Sequence, residues 1–208
     1  MIDDRFRQWL PRVAGPIVQL YGALGLSPNA VSLLALGLAG VSAGFVLVDR
    51  PLLAIGFWWL GRLADGTDGI HARQSGRATD FGAYFDIVLD MSAYSLMIVA
   101  FASVHPDLHA HWLWILFLYV LCIASALALG MQEARRSLPA RDDRGLRLGA
   151  GLAEGGETGI AYTLFLLFPE WLPGLTLVWI VVLAATVVAR TLLARRILSD
   201  GPADGSGH

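Results

Sequence analysis

The sequence predicts an all-α, polytopic membrane protein: six transmembrane helices preceded by an N-terminal amphipathic helix lying along the interface. Three observations predict it. Of the 208 residues, 56% are hydrophobic and the mean hydropathy is +0.60, too apolar for an ordinary soluble domain. Apolar runs long enough to span a bilayer, roughly 20 residues each, recur between short polar links. The arginines collect in alternate links, as the positive-inside rule requires.

Each element has its own signal. Residues 4–24 place Phe6, Leu10, Val13, Ile17, Leu20 and Leu24 among Arg5, Arg7, Arg12 and Gln19. That pattern suits an interfacial helix, bent near Pro11 and Pro16. The N-terminus is charged and Pro-interrupted, unlike a cleavable signal peptide. Ser27-Pro28-Asn29 is a helix start, so span one runs about 29–48. Asp49-Arg50-Pro51 makes a tight turn, and span two runs from about 52 to 73. A polar link, 74–79, leads to span three at 80–104, with Asp80 as the expected N-cap. The loop 105–111 is polar, and span four covers about 112–134. Residues 135–152 form the longest polar connection. Span five runs 154–169, span six 174–194, and a Gly-rich tail follows. The expected domains are therefore an interfacial helix (1–26), a six-span domain (27–197) and a flexible tail (198–208).

All 15 basic residues are arginine. Arg5, Arg7 and Arg12 precede span one, and Arg73 and Arg77 lie between spans two and three. Arg135, Arg136, Arg141, Arg144 and Arg147 lie between spans four and five, and Arg190, Arg195 and Arg196 close the chain. The opposite links hold only Arg50. This predicts a multi-pass protein of a bacterial inner membrane with both termini cytoplasmic. Trp112, Trp114 and Trp171 border the other face as an expected aromatic belt. The single cysteine, Cys122, excludes an internal disulfide and reads as a buried, inert thiol.

Residues 65–90 carry the chemistry: DGTDGIHARQSGRATDFGAYFDIVLD. Asp65 and Asp68 are three apart, and Asp86 and Asp90 are four apart, so each pair shares a helix face. A carboxylate at bilayer depth costs on the order of 2.5–3.5 kcal/mol, so four need compensation. A divalent cation between the pairs supplies it. Gly66, Gly69 and Gly82 clear the same faces for close approach or for a ligand. Arg73 adds a fork suited to phosphate. The inventory fits a diphosphate held by Mg²⁺ or Mn²⁺, with one carboxylate left as a base.

This segment resembles the signature of the CDP-alcohol phosphotransferase family, D-x2-D-G-x2-A-R-x8-G-x3-D-x3-D. Asp65, Asp68, Gly69, Ala72, Arg73, Gly82, Asp86 and Asp90 keep every spacing. The resemblance implies a transferase of phospholipid biosynthesis. An acceptor hydroxyl attacks the β-phosphorus of a CDP-alcohol, expected here to be CDP-diacylglycerol, and CMP leaves. It implies Asp65, Asp68, Asp86 and Asp90 as metal residues, with Asp90 also the general base on the acceptor hydroxyl. Asp65, Asp68, Gly69, Ala72, Arg73 and Gly82 would line the CDP-alcohol site, with Asn29 facing the nucleotide. It also implies a homodimer. Nucleic acid is not an expected partner.

The acceptor is less sharply specified. Arg135, Arg144, Arg147 and Arg190 stand near the cytoplasmic mouth and point to a phosphorylated polyol such as glycerol 3-phosphate. Phosphatidylinositol phosphate and phosphatidylserine synthesis are the alternatives. Glu133, Glu154 and Glu157 lie at the same level and could pair with the arginines. A different class, a divalent-cation or proton transporter, uses intramembrane acids too, but does not require the eight-position spacing. His105, His109 and His111 read as a solvated loop on the far side, and Tyr84, Ser92 and Tyr94 as packing or interhelical hydrogen bonds.

Overall fold

The computed structural model describes residues 14–135 and 155–199, and their regular structure is entirely helical. Helix α1 occupies 14–23. It is followed by α2 (Pro28–Leu47), α3 (Pro51–Gln74), α4 (Asp80–Val104), α5 (His109–Arg135), α6 (Gly155–Leu167) and α7 (Leu172–Ser199). Short 3-10 turns, Pro106–Leu108 and Pro169–Trp171, lead into α5 and α7.

Local chemistry sets the helix ends. Ser27 caps α2 by accepting from the Ala30 N–H at 3.2 Å, and Pro28 takes a first-turn position where its missing donor costs nothing. Pro51 opens α3 in the same way, after Asp49 turns the chain at φ 53°. The cap of α4 is Thr79, not Asp80: the Thr79 hydroxyl accepts from the Gly82 N–H at 3.0 Å. Asp80 is the first helical residue, where its charge favours the positive helix end.

Four described stretches are long and apolar enough to cross a membrane: Pro28–Leu47, Asp80–Val104, Pro106–Arg135 and Pro169–Ser199. The protein is therefore a multi-pass, all-helical membrane protein. Helix α3 has the length but carries Arg62, Asp65, Asp68, His71 and Arg73. Helix α6 has 13 described residues.

Helix α2 packs along both α3 and α4, α5 pairs with α7, and α6 joins the halves by resting on α3 and α7. The α2–α3 contact is close because residue 61 is glycine. A Cβ there would lie 3.1 Å from the Ala35 carbonyl oxygen. Aromatic side chains fill the centre: Trp58, Phe101, Trp112 and Tyr162 are all essentially fully buried. Trp112 departs from the expected belt. It stacks on Phe101 with centroids 5.7 Å apart and donates to the His105 carbonyl. Trp114 and Trp171 are exposed, as the belt requires.

The histidine segment is more ordered than a solvated loop. Helix α5 begins at His109, and His111 Nδ1 lies 2.7 Å from the Thr176 hydroxyl of α7. Cys122 is half-buried, its thiol directed at the Leu183 carbonyl. Helix α7 runs on to Ser199 and takes Arg195 and Arg196 into the helix. The expected tail beyond it and residues 1–13, expected to begin the N-terminal helix, lie outside the described residues.

Candidate active site between α3 and α4

Two side-chain stripes face each other where α3 and α4 run antiparallel. On α3, Trp58, Arg62, Asp65 and Asp68 follow one another at helical spacing. On α4, Asp86, Asp90 and Tyr94 do the same. The stripes match rung by rung. The Trp58 and Tyr94 rings lie 5.9 Å apart, Arg62 meets Asp90, and Asp65 and Asp68 meet Asp86.

The acidic rung is the site's centre. One carboxylate oxygen from each of Asp65, Asp68 and Asp86 lies within 4.8 Å of the others. All three donors are hard oxygens, a set that suits Mg²⁺ or Mn²⁺ and gives no preference to softer metals. The cluster is sheltered: Asp68 is 4% exposed, and Ser32 of α2 donates its hydroxyl to the Asp68 carboxylate. Ser32, at 6% exposure, reaches in from the helix that packs on both stripes.

Asp90 lies beside that group of three. It forms an ion pair with Arg62, whose Nη1 also lies 3.4 Å from Asp65 Oδ2 and 3.2 Å from the Tyr94 hydroxyl. The site therefore has two compartments, a three-carboxylate group and an Arg62–Asp90 pair, bridged by Asp65.

The remaining expected residues distribute as follows. Gly82 lies where the start of α4 passes the start of α2: a Cβ there would sit 3.4 Å from Asn29 Oδ1. Asn29 and Ser32 thus come from one turn of α2, toward the same edge. Gly69 lies next to Arg73, which is exposed in the last turn of α3 beside half-buried Ala72. Arg135 is exposed at the end of α5. Arg190 is buried between α7 and α5, donating to the Cys122 carbonyl at 2.5 Å and lying 3.3 Å from the Ser125 hydroxyl. Arg144 and Arg147 lie outside the described residues, as does Glu154. Glu133 is buried.

The back of α3 fixes the helix. Thr67 bonds Tyr21 of α1 at 3.1 Å, and His71 Nε2 lies 2.9 Å from the Leu26 carbonyl. Helix α6 covers the inner end, where a Cβ on Gly155 would lie 3.0 Å from the Tyr94 hydroxyl oxygen. Tyr162 donates to the Tyr94 carbonyl at 3.0 Å. Tyr94 has the interhelical bonding role expected of it, while Tyr84 is exposed and Ser92 bonds its own helix at Val88. Sequence reasoning missed Arg62 and Ser32. An arginine well inside an expected span was the available signal for the first. Ser32, one turn after Asn29, carried no signal of its own.

Comparison with known proteins gives a consistent set. The profile of the CDP-alcohol phosphatidyltransferase family matches residues 26–189. Inner membrane protein YnjF of Escherichia coli is 28% identical over 174 residues, 82% of this chain and 84% of that protein. Phosphatidylinositol phosphate synthase of Streptomyces avermitilis is 36% identical over 108 residues, covering 49% of this chain and 42% of that protein. The fold matches crystal structures of Mycobacterium tuberculosis phosphatidylinositol phosphate synthase. The form with manganese and citrate gives a TM-score of 0.62 at 21% identity, covering 94% of this chain and 93% of that one. The form with CDP-DAG bound gives 0.58 at 19%, covering 95% and 100%.

Proposed function

The chain belongs to the CDP-alcohol phosphatidyltransferase family, and on that premise we propose that it transfers the phosphatidyl group of CDP-diacylglycerol to a small alcohol, releasing CMP. The observation that carries this reading is the convergence of Asp65, Asp68 and Asp86 within 4.8 Å, beside Asp90, inside a motif whose eight positions all match.

Asp65, Asp68 and Asp86 are the proposed ligands of a Mg²⁺ or Mn²⁺ ion. When bound, that ion would neutralise charge on the diphosphate oxygens. Support for the metal comes from the oxygen-only donor set and from the manganese-containing M. tuberculosis structure. Gly69, Ala72, Arg73, Gly82 and Asn29 are the proposed lining of the CDP-alcohol site, and Arg73 is the exposed cation among them. Asp90 is the proposed general base. It takes the proton of the acceptor hydroxyl, whose oxygen bonds to the β-phosphorus. The bond from that phosphorus to the CMP oxygen breaks, and CMP departs with the electron pair.

The setting suits a lipid donor. Acyl chains stay in the bilayer while the diphosphate and a water-soluble acceptor meet at the cytoplasmic end of α3 and α4. That placement rests on the arginine asymmetry of the sequence, as does the assignment of both termini to the cytoplasm. We take α3 and α6 as the second and fifth of six spans, alongside the four apolar ones, α1 as the interfacial helix, and two copies of the chain as the working unit.

For the acceptor we propose a phosphorylated polyol. The arginines at positions 135, 144, 147 and 190 support a phosphate-bearing acceptor such as glycerol 3-phosphate. The S. avermitilis and M. tuberculosis relatives, both phosphatidylinositol phosphate synthases, support an inositol phosphate. A CMP-release screen tests the whole reading. Purified protein with Mn²⁺ and CDP-diacylglycerol is given glycerol 3-phosphate, inositol phosphate, inositol or serine in turn. Release of CMP with a phosphorylated polyol is expected. Release with serine or free inositol alone overturns the acceptor class. No release and no nucleotide binding, together with cation flux in vesicles, overturns the enzyme in favour of a transporter.

A further inference from the structure

Arg62 lies outside the eight-position motif, yet it is engaged on several sides within the site. It is 6% exposed. Its Nη1 meets Asp90, Asp65 and the Tyr94 hydroxyl. Its Cζ lies 4.8 Å from the Trp58 ring centroid and 5.0 Å from the Tyr94 ring centroid. Two aromatic faces and two carboxylates, drawn from both helices, thus hold one guanidinium. An arginine side chain carries several rotatable bonds, and such a clamp removes most of their freedom. A simple counter-ion for Asp90 would not need it.

The clamp has a consequence for Asp90. In a slot with four carboxylates, Asp90 has two sources of positive charge: a cation held by Asp65, Asp68 and Asp86, or a cation of its own. Arg62 is the second. With Arg62 fixed by Trp58 and Tyr94, the Asp90 carboxylate is held in one place between α3 and α4. We propose that Arg62 is a positioning residue that fixes the Asp90 carboxylate between α3 and α4, where it can face the acceptor hydroxyl. This rests on the reading of Asp90 as the base.

Four variants of the full chain test it: Arg62→Met, Arg62→Lys, Asp90→Asn, and Arg62→Met with Asp90→Asn. Each is assayed for CMP release and, by electron paramagnetic resonance of free Mn²⁺, for metal bound per chain. Arg62→Met is expected to lower kcat by about 100-fold, the low end of what a misplaced base costs. Its KM for CDP-diacylglycerol should stay within about threefold and its Mn²⁺ binding should persist. Arg62→Lys keeps a charge for Asp90 and should recover at least about tenfold of the lost rate. The double variant should be no more than about threefold slower than Asp90→Asn, because Arg62 acts through Asp90.

Turnover of Arg62→Met within about threefold of the parent overturns the proposal. So does a double variant about tenfold or more below Asp90→Asn, which would place the action of Arg62 elsewhere. Should Arg62→Met fail to fold with Asp90 left uncompensated, the charge-balanced double variant decides against Asp90→Asn. Retained turnover in Asp90→Asn itself marks failure of the base reading, seen in a different protein from the failure of the Arg62 proposal.

Discussion

Replacing Ser32 with alanine tests whether the three-carboxylate group is held by α2. The hydroxyl of Ser32 has one proton and two acceptors in reach, the Asp68 carboxylate and the Pro28 carbonyl at 3.3 Å. The carboxylate is the closer and the charged one, so it takes the proton. Hydrogen bonds to charged groups contribute about 1.5–3 kcal/mol. At 1.4 kcal/mol per factor of ten, losing this one corresponds to about 10- to 150-fold in an equilibrium that depends on Asp68. Partners that orient metal ligands in known sites cost about 10- to 100-fold when removed, which agrees. Ser32→Ala should therefore weaken Mn²⁺ binding by about 10- to 100-fold, measured as free Mn²⁺ by electron paramagnetic resonance. The fold should survive, because the change removes one oxygen from a site otherwise closed by α2 and α3. Ser32→Thr keeps the donor and should restore most of the affinity. Equal or tighter binding in Ser32→Ala would refute the reasoning. It would mean that the hydroxyl competes with the metal for Asp68 instead of orienting it.

Other perturbations separate the proposed roles. Asp65→Asn, Asp68→Asn and Asp86→Asn should each abolish measurable Mn²⁺ binding. Asp90→Asn should keep Mn²⁺ and nucleotide binding while kcat falls by about 100- to 10,000-fold, the usual range for a lost general base; loss of metal binding in Asp90→Asn would make it a ligand instead. Turnover should fall as the medium is acidified, since protons and metal compete for the same carboxylates and proton uptake releases the ion. By that sign, raising Mn²⁺ should move the acid limb to lower pH, and a limb indifferent to Mn²⁺ would refute it. Gly61→Leu should separate α2 from α3, because even a Cβ there meets the backbone oxygen of Ala35 at 3.1 Å and Leu38 Cβ at 3.4 Å. Overpacking of this kind costs about 1–3 kcal/mol, or about 2–12 °C in Tm for a chain of this size. An unchanged Tm would show that the helices can part at no cost.

Much of the fold was legible because apolar length and punctuation decide it. The expected ends of spans one to three fall within a residue or two of α2, α3 and α4. Proline after Ser27 and after Arg50 marked helix starts by removing a donor that the first turn does not use. The errors have equally local causes. Thr79 and Asp80 are both good caps, and only backbone geometry chooses between neighbours: Thr79 is extended at φ −140°, ψ 156°, while Asp80 has entered the helix. Trp112 and Trp114 are two apart, so they point to different sides of α5, and composition could not say which side faced Phe101. A count of charges also misrepresents α3, because Arg62, Asp68 and His71 are buried inside the bundle.

The site divides along the same line. Spacing within one helix is written in the sequence, so the pairing of Asp65 with Asp68 and of Asp86 with Asp90 could be read directly. What crosses between helices is not written there, and Ser32 and Arg62 both act across. Their partners lie 36 and 28 residues away. Arg62 nevertheless left a trace. A cation three residues before Asp65, well inside an expected span, is costly unless something pays for it. The sequence reading sets one carboxylate aside as a base but names no cation beside it. Arg62 is that cation, a guanidinium fixed by Trp58 and Tyr94 and paired with Asp90. Asp90, on the same face of α4 as Asp86 and one turn away, thus has a fixed cation of its own beside the group of three.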